Sequence, residues 1–520
     1  MKKENIVNPT EIQGKLDLLE NAKITLKKEF IGIDKVIDQV FEAFNPWFLF
    51  PSINDKPVII NLWGLTGTGK TSLVKRITEL INLNQSLFRF DMGACSGQFA
   101  FQDALENMCN NSDLNQNIIV LDEFQHSRTI TQELFKKKEL KNDKNRLVWE
   151  LLDSGIIEYS TYNRSLRRVE NVFIKLKGLV KRGLKCSNGL VTRKKKLFRN
   201  EFNNHEKSKL KFVPEYIYDD ILECSLGFGT MTLEVDLDGY FMKSSENEIL
   251  DFLSKVVRRS KRPMKKDLSS SLIFVIGNLD EAYTMSANFS TDLSADEFHD
   301  FSLKIKTTHI KEALTERFRN EQIARLGNTH IIYPAFSKNS YQKIIKQELE
   351  KIKNKFYKSH GIKIKTSKKI ETLIYEEGVI PVQGTRPVFT TVNQIVKSKI
   401  GKIYSEAYLV NPKINVVLLD YKDGFTTIVF KIGKKEVHQL RVKQELSISE
   451  LKQTKNNDIQ AITAVHESGH AICSVFLSNT LPECLVSVSS DSGKSGFMFS
   501  KSKLNYISKK HIVSKIATGL

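Results

Sequence analysis

Gly64-Leu65-Thr66-Gly67-Thr68-Gly69-Lys70-Thr71-Ser72, entered straight from the apolar run Pro57 to Trp63, decides how the rest of this chain is read. The run has the length and composition of a short buried strand, and a helix is expected after the loop. In that setting the stretch satisfies G-x-x-x-x-G-K-[ST], a phosphate-binding loop. Gly64, Gly67 and Gly69 let backbone N–H groups curl around phosphates, Lys70 neutralises the β and γ oxygens, and the Thr71 hydroxyl ligates Mg²⁺. The cofactors this implies are ATP and Mg²⁺.

Downstream, Asn117 to Leu121 reads as a second buried strand that ends in Asp122 and Glu123. A carboxylate at the tip of a central strand can hold magnesium, and its neighbour can polarise the attacking water. Asp122 is therefore assigned to the metal and Glu123 to the catalytic base. An acidic pair after an apolar strand is also common in helix caps, so the assignment leans on the preceding loop.

The 520 residues allow about three domains, and 40% apolar with 27% charged residues places the chain among ordinary globular proteins. No apolar stretch approaches the 18 or so residues that span a bilayer, and Met1 to Asn5 has no signal-type core, so a soluble, cytoplasmic protein is expected. Six cysteines without a C-x-x-C pair argue for reduced thiols. The net charge of +19 is uneven: residues 160 to 200 hold 13 Lys and Arg against one acid, Glu170. Such a segment suits nucleic acid, acidic lipid or an acidic partner, but it lacks interleaved stacking aromatics. A solvated basic insertion is the simpler reading.

Near the other end stands Ala464-Val465-His466-Glu467-Ser468-Gly469-His470-Ala471-Ile472, which matches H-E-x-x-H. On a helix, His466 and His470 share a face and can reach one zinc ion, while Glu467 is rotated to where a general base activates metal-bound water. The bland alternative is an amphipathic helix whose apolar face continues through Val465, Ala471, Ile472 and Val475.

The order of these elements resembles the AAA+ ATPases, particularly the Clp/Hsp100 type, over about residues 20 to 440. The resemblance implies an α/β P-loop module, a parallel sheet with flanking helices, and then a helical lid. It makes Phe30-Ile31-Gly32-Ile33-Asp34 the adenine-framing segment and Asn278, after Leu272 to Ile276, the sensor 1 residue that orients water. Arg325, in Phe318 to Leu326, aligns with the arginine finger, with Arg317 and Arg319 as rivals, and Arg386 of Gly384-Thr385-Arg386-Pro387 with sensor 2. A finger supplied in trans implies a homo-oligomeric ring, a hexamer in that family, acting on polypeptides. Two departures stand out. A basic insertion lies near 160 to 266, and Ser96 to Phe101 lacks the usual pore-loop signature, leaving Phe99 or Phe101 as candidate grips.

From about Ile459 the chain resembles the start of an FtsH-type (M41) peptidase, which implies a mainly α, partial zinc-peptidase domain. In that family the third zinc ligand is an aspartate farther on than Leu520, and Asp491 is a poor substitute. The organisation expected is therefore an N-terminal segment 1–20, a large domain 21–335, a lid 336–442, a linker 443–458 and a peptidase portion 459–520. Two functions follow: an ATP-dependent zinc metalloprotease in which a ring feeds an H-E-x-x-H site, or a non-proteolytic Clp-type remodelling ATPase.

Overall fold

Five parallel strands drawn from residues 58–332 form one sheet, the three inner ones near-continuously apolar and buried as a parallel sheet covered by helices requires. They are β1 (Val58–Trp63), β2 (Leu87–Asp91), β3 (Ile118–Asp122), β4 (Leu272–Gly277) and β5 (His330–Ile332), ordered β5-β1-β4-β3-β2 with every pairing parallel. This computed structural model describes residues 9–94, 100–111, 116–133, 136–139, 146–159, 164–202, 210–225, 234–260, 264–279, 282–283, 294–446, 457–487, 496–500 and 509–519. β1 lies between β5 and the central strand β4, so the loop that leaves it emerges beside the ends of those two strands. In open α/β sheets, ligands bind at those carboxyl ends.

The helix Asp34–Leu49 covers one flank by burying Val36, Ile37, Val40, Phe41, Phe44, Trp47 and Phe48 at three- and four-residue spacing. Each such side chain contributes roughly 1.5–3 kcal/mol when taken fully from water. Trp47 also donates its indole N–H to the Ser270 carbonyl at 2.7 Å, just before β4 begins.

The lid is built on the helix Lys338–His360, which is capped by Ser337 at the N-terminus and closed by Gly361 at φ 70. Helices Lys368–Gly378, Arg386–Ile395 and Ile400–Val410 follow. A four-stranded sheet completes it, in the order Lys363–Thr366, Val416–Lys422, Phe425–Ile432, Lys435–Lys443. The last two strand pairings are antiparallel.

A separate compact unit comprises residues 102–111 and 146–269. The antiparallel pair Ile156–Tyr159 and Met264–Asp267 joins its two ends, so the unit extends beyond the basic stretch itself. Its helix Arg164–Lys181 buries Leu166, Val169, Val172, Leu176 and Leu179 and turns Lys175, Lys177 and Lys181 outward. The cations thus form the solvated face of an amphipathic element. Burial pushes the Cys186 thiol up to about 11 and the Cys224 thiol up to about 12, so neither is a ready nucleophile.

No helix among the described residues is long and apolar enough to cross a membrane. The C-terminal portion holds the helix Asn457–Ser478, an antiparallel pair Pro482–Val486 with Phe497–Ser500, and the helix Lys509–Gly519.

Candidate nucleotide site

The helix Lys70–Leu80 begins at the last residues of the glycine loop because Leu73, Val74 and Ile77 bury against the sheet. Its N-cap is Gly69 at φ 87, which has no side chain with which to cap the helix. The first amides of the helix therefore face the loop's concavity, where an anion is favoured by both the exposed N–H groups and the helix dipole.

Lys70 is 7% exposed. Its ammonium donates to the carbonyls of Gly64 at 2.9 Å and Leu65 at 2.7 Å, and to Asn278 Oδ1 at 2.9 Å. Two of the expected functional residues, on the loop and just past β4, are thus in direct contact. The Thr71 hydroxyl donates to Asp122 Oδ2 at 3.0 Å, and together they present a pair of hard oxygens of the kind Mg²⁺ selects.

Glu123 follows Asp122 with φ 53, the left-handed region that a β-carbon disfavours. Such backbone strain costs on the order of 1–3 kcal/mol and is found where a side chain must be aimed. Gln125 donates through Nε2 to Glu123 Oε2, and its Oε1 accepts the Asn278 backbone N–H at 3.0 Å.

Two participants have no motif to announce them. Arg89 on β2 donates to Asp122 Oδ2 through Nε at 2.9 Å and pairs with it through Nη2 at 2.7 Å. The parallel register sets Asp91 opposite Asp122, two residues beyond Arg89, and only sheet pairing reveals that. Gln125 lies in a short 3₁₀ turn, Phe124–Ser127, where sequence periodicity says nothing.

A cavity of about 530 Å³ is lined by Phe30, Ile31 and Ile33, by Thr66 to Ser72, by Asp122, Glu123 and Asn278, and by Thr385 and Arg386 of the lid. A volume of that size suits a small-molecule ligand. Apolar side chains occupy one part of its wall, and cationic and hard-oxygen groups another. The donor set fits a nucleotide with magnesium: Lys70 and Arg386 for phosphate charge, Thr71 and Asp122 for the metal.

The lid is tied to the loop directly. Thr385 donates its backbone N–H at 3.0 Å and its hydroxyl at 2.8 Å to the Gly67 carbonyl. Gly384 has φ 65, and a β-carbon there would lie 2.6 Å from the Thr66 carbonyl oxygen. The Tyr341 hydroxyl donates to the Gly384 carbonyl at 3.4 Å, and burial pushes its pKa up, so the donor stays protonated. Gly384→Ala should therefore loosen the lid from the loop. We expect a loss of about 1–3 kcal/mol in chemical denaturation together with weaker nucleotide binding.

Arg325 ends the six-residue helix Asn320–Arg325, is half-buried, and does not line the cavity. The loop after it is braced to β1. Asn61 Nδ2 donates to the carbonyls of Leu326 at 2.8 Å and Thr329 at 3.0 Å, and Trp63 Nε1 donates to His330 Nδ1 at 3.0 Å. Burial, with Lys311 nearby, lowers the His330 pKa to about 4, leaving the imidazole neutral and able to accept the indole N–H.

Two expectations change. Phe101 does not reach solvent to grip a polypeptide: it is 4% exposed and packs on Phe90 with ring centroids 5.2 Å apart. Phe99 lies outside the described residues. The zinc centre is not assembled. His466 Nε2 and His470 Nε2 lie 3.0 Å apart on the helix Asn457–Ser478, with Glu467 buried beside them. Among the described residues, however, no group of three or more His, Cys, Asp or Glu could hold a metal, whereas catalytic zinc ordinarily takes three protein ligands. Asp491 also lies outside the described residues.

The parallel sheet, the phosphate loop and the helical segment after them resemble an AAA+ ATPase module, and two stretches of the chain match family models of that kind. Residues 60–154 match the family of ATPases associated with various cellular activities, and residues 336–416 match the C-terminal, D2-small domain of ClpB protein. Chaperone protein ClpB of Vibrio vulnificus is 24% identical over 135 residues, covering 26% of this chain and 16% of that protein. Chaperone protein ClpB of Prochlorococcus marinus is 27% identical over 94 residues, covering 18% of this chain and 11% of that protein. A closed-state cryo-electron microscopy reconstruction of Hsp104 with ATPγS and FITC casein is similar with a TM-score of 0.43 and 13% identity, covering 80% of this chain and 52% of that one. The curated matches thus span less than a fifth of either relative, and neither family match reaches the histidine helix.

Proposed function

We propose that this chain is an ATP-driven protein-remodelling ATPase of the Clp type that works on polypeptides as a homo-oligomeric, hexameric ring. The observation that carries the proposal is the convergence of Lys70, Thr71, Asp122, Glu123 and Asn278 with Arg386 of the lid on one cavity. Magnesium-bound ATP would supply a phosphoanhydride bond there, and its hydrolysis would supply the free energy for mechanical work.

The residues have separate tasks. Gly64, Gly67 and Gly69 shape the phosphate cradle, and Lys70 and Arg386 balance the charge on it. Thr71 and Asp122 hold the metal. Glu123 takes a proton from the attacking water at a carboxylate oxygen, and Asn278 orients that water. Arg325, outside its own subunit's cavity, is assigned to a neighbour's γ-phosphate, which is why a ring is needed. The relatives' name, chaperone, supports the remodelling part of the proposal.

ATP-dependent unfolding of a stably folded fluorescent reporter tests it. The purified chain should unfold the reporter and Arg325→Ala should not, although Arg325→Ala should still bind nucleotide. Reporter unfolding that proceeds without ATP would refute the proposal.

The ATP-dependent zinc metalloprotease remains a second reading, favoured by one observation, the 3.0 Å approach of His466 and His470 with Glu467 alongside. It predicts about one Zn²⁺ per chain by elemental analysis, lost in His466→Ala. The remodelling reading predicts substoichiometric zinc, unchanged by that substitution.

A further inference from the structure

Glu123 and Asn278 come from different strands, yet one side chain touches both. Gln125 Nε2 donates to Glu123 Oε2, and Gln125 Oε1 accepts the backbone N–H of Asn278 at 3.0 Å. The amide's orientation is settled by its partners, because a carboxylate only accepts and a backbone N–H only donates. A hydrogen-bonded path therefore runs from Lys70 through Asn278 and Gln125 to Glu123.

The slot that holds Gln125 is shaped for it. Gly277 ends β4, and a β-carbon there would fall 2.5 Å from Trp63 Cζ3 and 3.4 Å from Gln125 Oε1. Trp63 is fully buried and its indole N–H is held by His330, so this wall does not yield easily. Glu123, by contrast, sits on a strained backbone and needs its carboxylate held.

We propose that Gln125 is a positioning residue for hydrolysis, clamping the water-activating carboxylate of Glu123 to the sensor end of β4 so that base and sensor share one frame. The clamp acts by geometry. It fixes where Glu123 meets the attacking water and makes that position depend on Asn278, which is also a partner of Lys70. This rests on the proposed role of Glu123 in ATP hydrolysis.

Two variants separate clamping from mere space filling. Gln125→Glu is nearly isosteric and keeps an acceptor for the Asn278 N–H, but it donates nothing to Glu123 and sets a second carboxylate against it. Gln125→Ala removes both bonds and the volume. If Gln125 clamps Glu123, both variants lower kcat for ATP by about tenfold or more, the glutamate variant at least as much as alanine, with KM and the dissociation constant for a fluorescent ATP analogue within about threefold of the parent chain. If the side chain only fills space, Gln125→Glu hydrolyses ATP at the parental rate and only alanine is impaired. That result overturns the proposal. Retained analogue binding shows that the variants fold, and a variant that loses it through misfolding is replaced by Gln125→Met, for which the clamp predicts the same loss of kcat. Failure of the underlying reading looks different: there the parent chain itself hydrolyses no ATP.

Discussion

Lys70→Ala should abolish ATP binding at concentrations that saturate the parent chain, and hydrolysis and reporter unfolding with it. The ammonium is held by two loop carbonyls and Asn278 Oδ1 and is 7% exposed, so it faces the phosphate cradle from a largely desolvated position. Truncating one partner of a buried charged pair costs about 2–5 kcal/mol, roughly a 30- to 4,000-fold loss of affinity. Thermal denaturation offers a direct readout. A ligand at about 100 times its dissociation constant stabilises a protein by about 2.7 kcal/mol, so ATP should raise the melting temperature of the parent chain and leave that of Lys70→Ala unmoved. An equal rise in both would remove Lys70 from the phosphate site and with it the proposed function.

What the sequence disclosed follows from how local each signal is. Gly64 to Ser72 could be read because the loop's work is done by consecutive residues, and Asp122 and Glu123 because they terminate an unbroken apolar strand. The strands β1, β3 and β4 were legible as short apolar runs bounded by turn or acidic residues, whereas their order in the sheet is set by tertiary pairing. Arg89 and Gln125 could not be read. Their partners are set by sheet register and by a single 3₁₀ turn, which are products of tertiary packing. Phe101 misled for a related reason. An aromatic near a loop serves a pore or a core equally well until its neighbours are known, and here Phe90 claims it. The pair His466 and His470 shows the limit of spacing as an argument. A helix brings two imidazoles together whatever their purpose, but a metal centre also needs a third donor from elsewhere in the fold.

Glu123→Gln should do the reverse of Lys70→Ala, leaving nucleotide binding intact while lowering kcat for ATP by about 10²–10⁴-fold. The substitution is well matched to this site. A glutamine tolerates the φ of 53 no worse than a glutamate does, and its side-chain carbonyl can still accept the bond from Gln125 Nε2. Position is kept and basicity is lost, so the rate reports proton removal rather than collapse of the loop. Lys70, Thr71, Asp122 and Arg386 are untouched, and the variant should hold ATP long enough for a nucleotide-bound ring to accumulate, which light scattering or analytical ultracentrifugation would detect. Single-turnover kinetics complete the test. If the loss appears in the burst rate as well as in steady state, the chemical step is impaired. A normal burst with slow turnover would instead move Glu123 from proton abstraction to product release, and the metal-side carboxylate, Asp122, would become the residue to examine for the base.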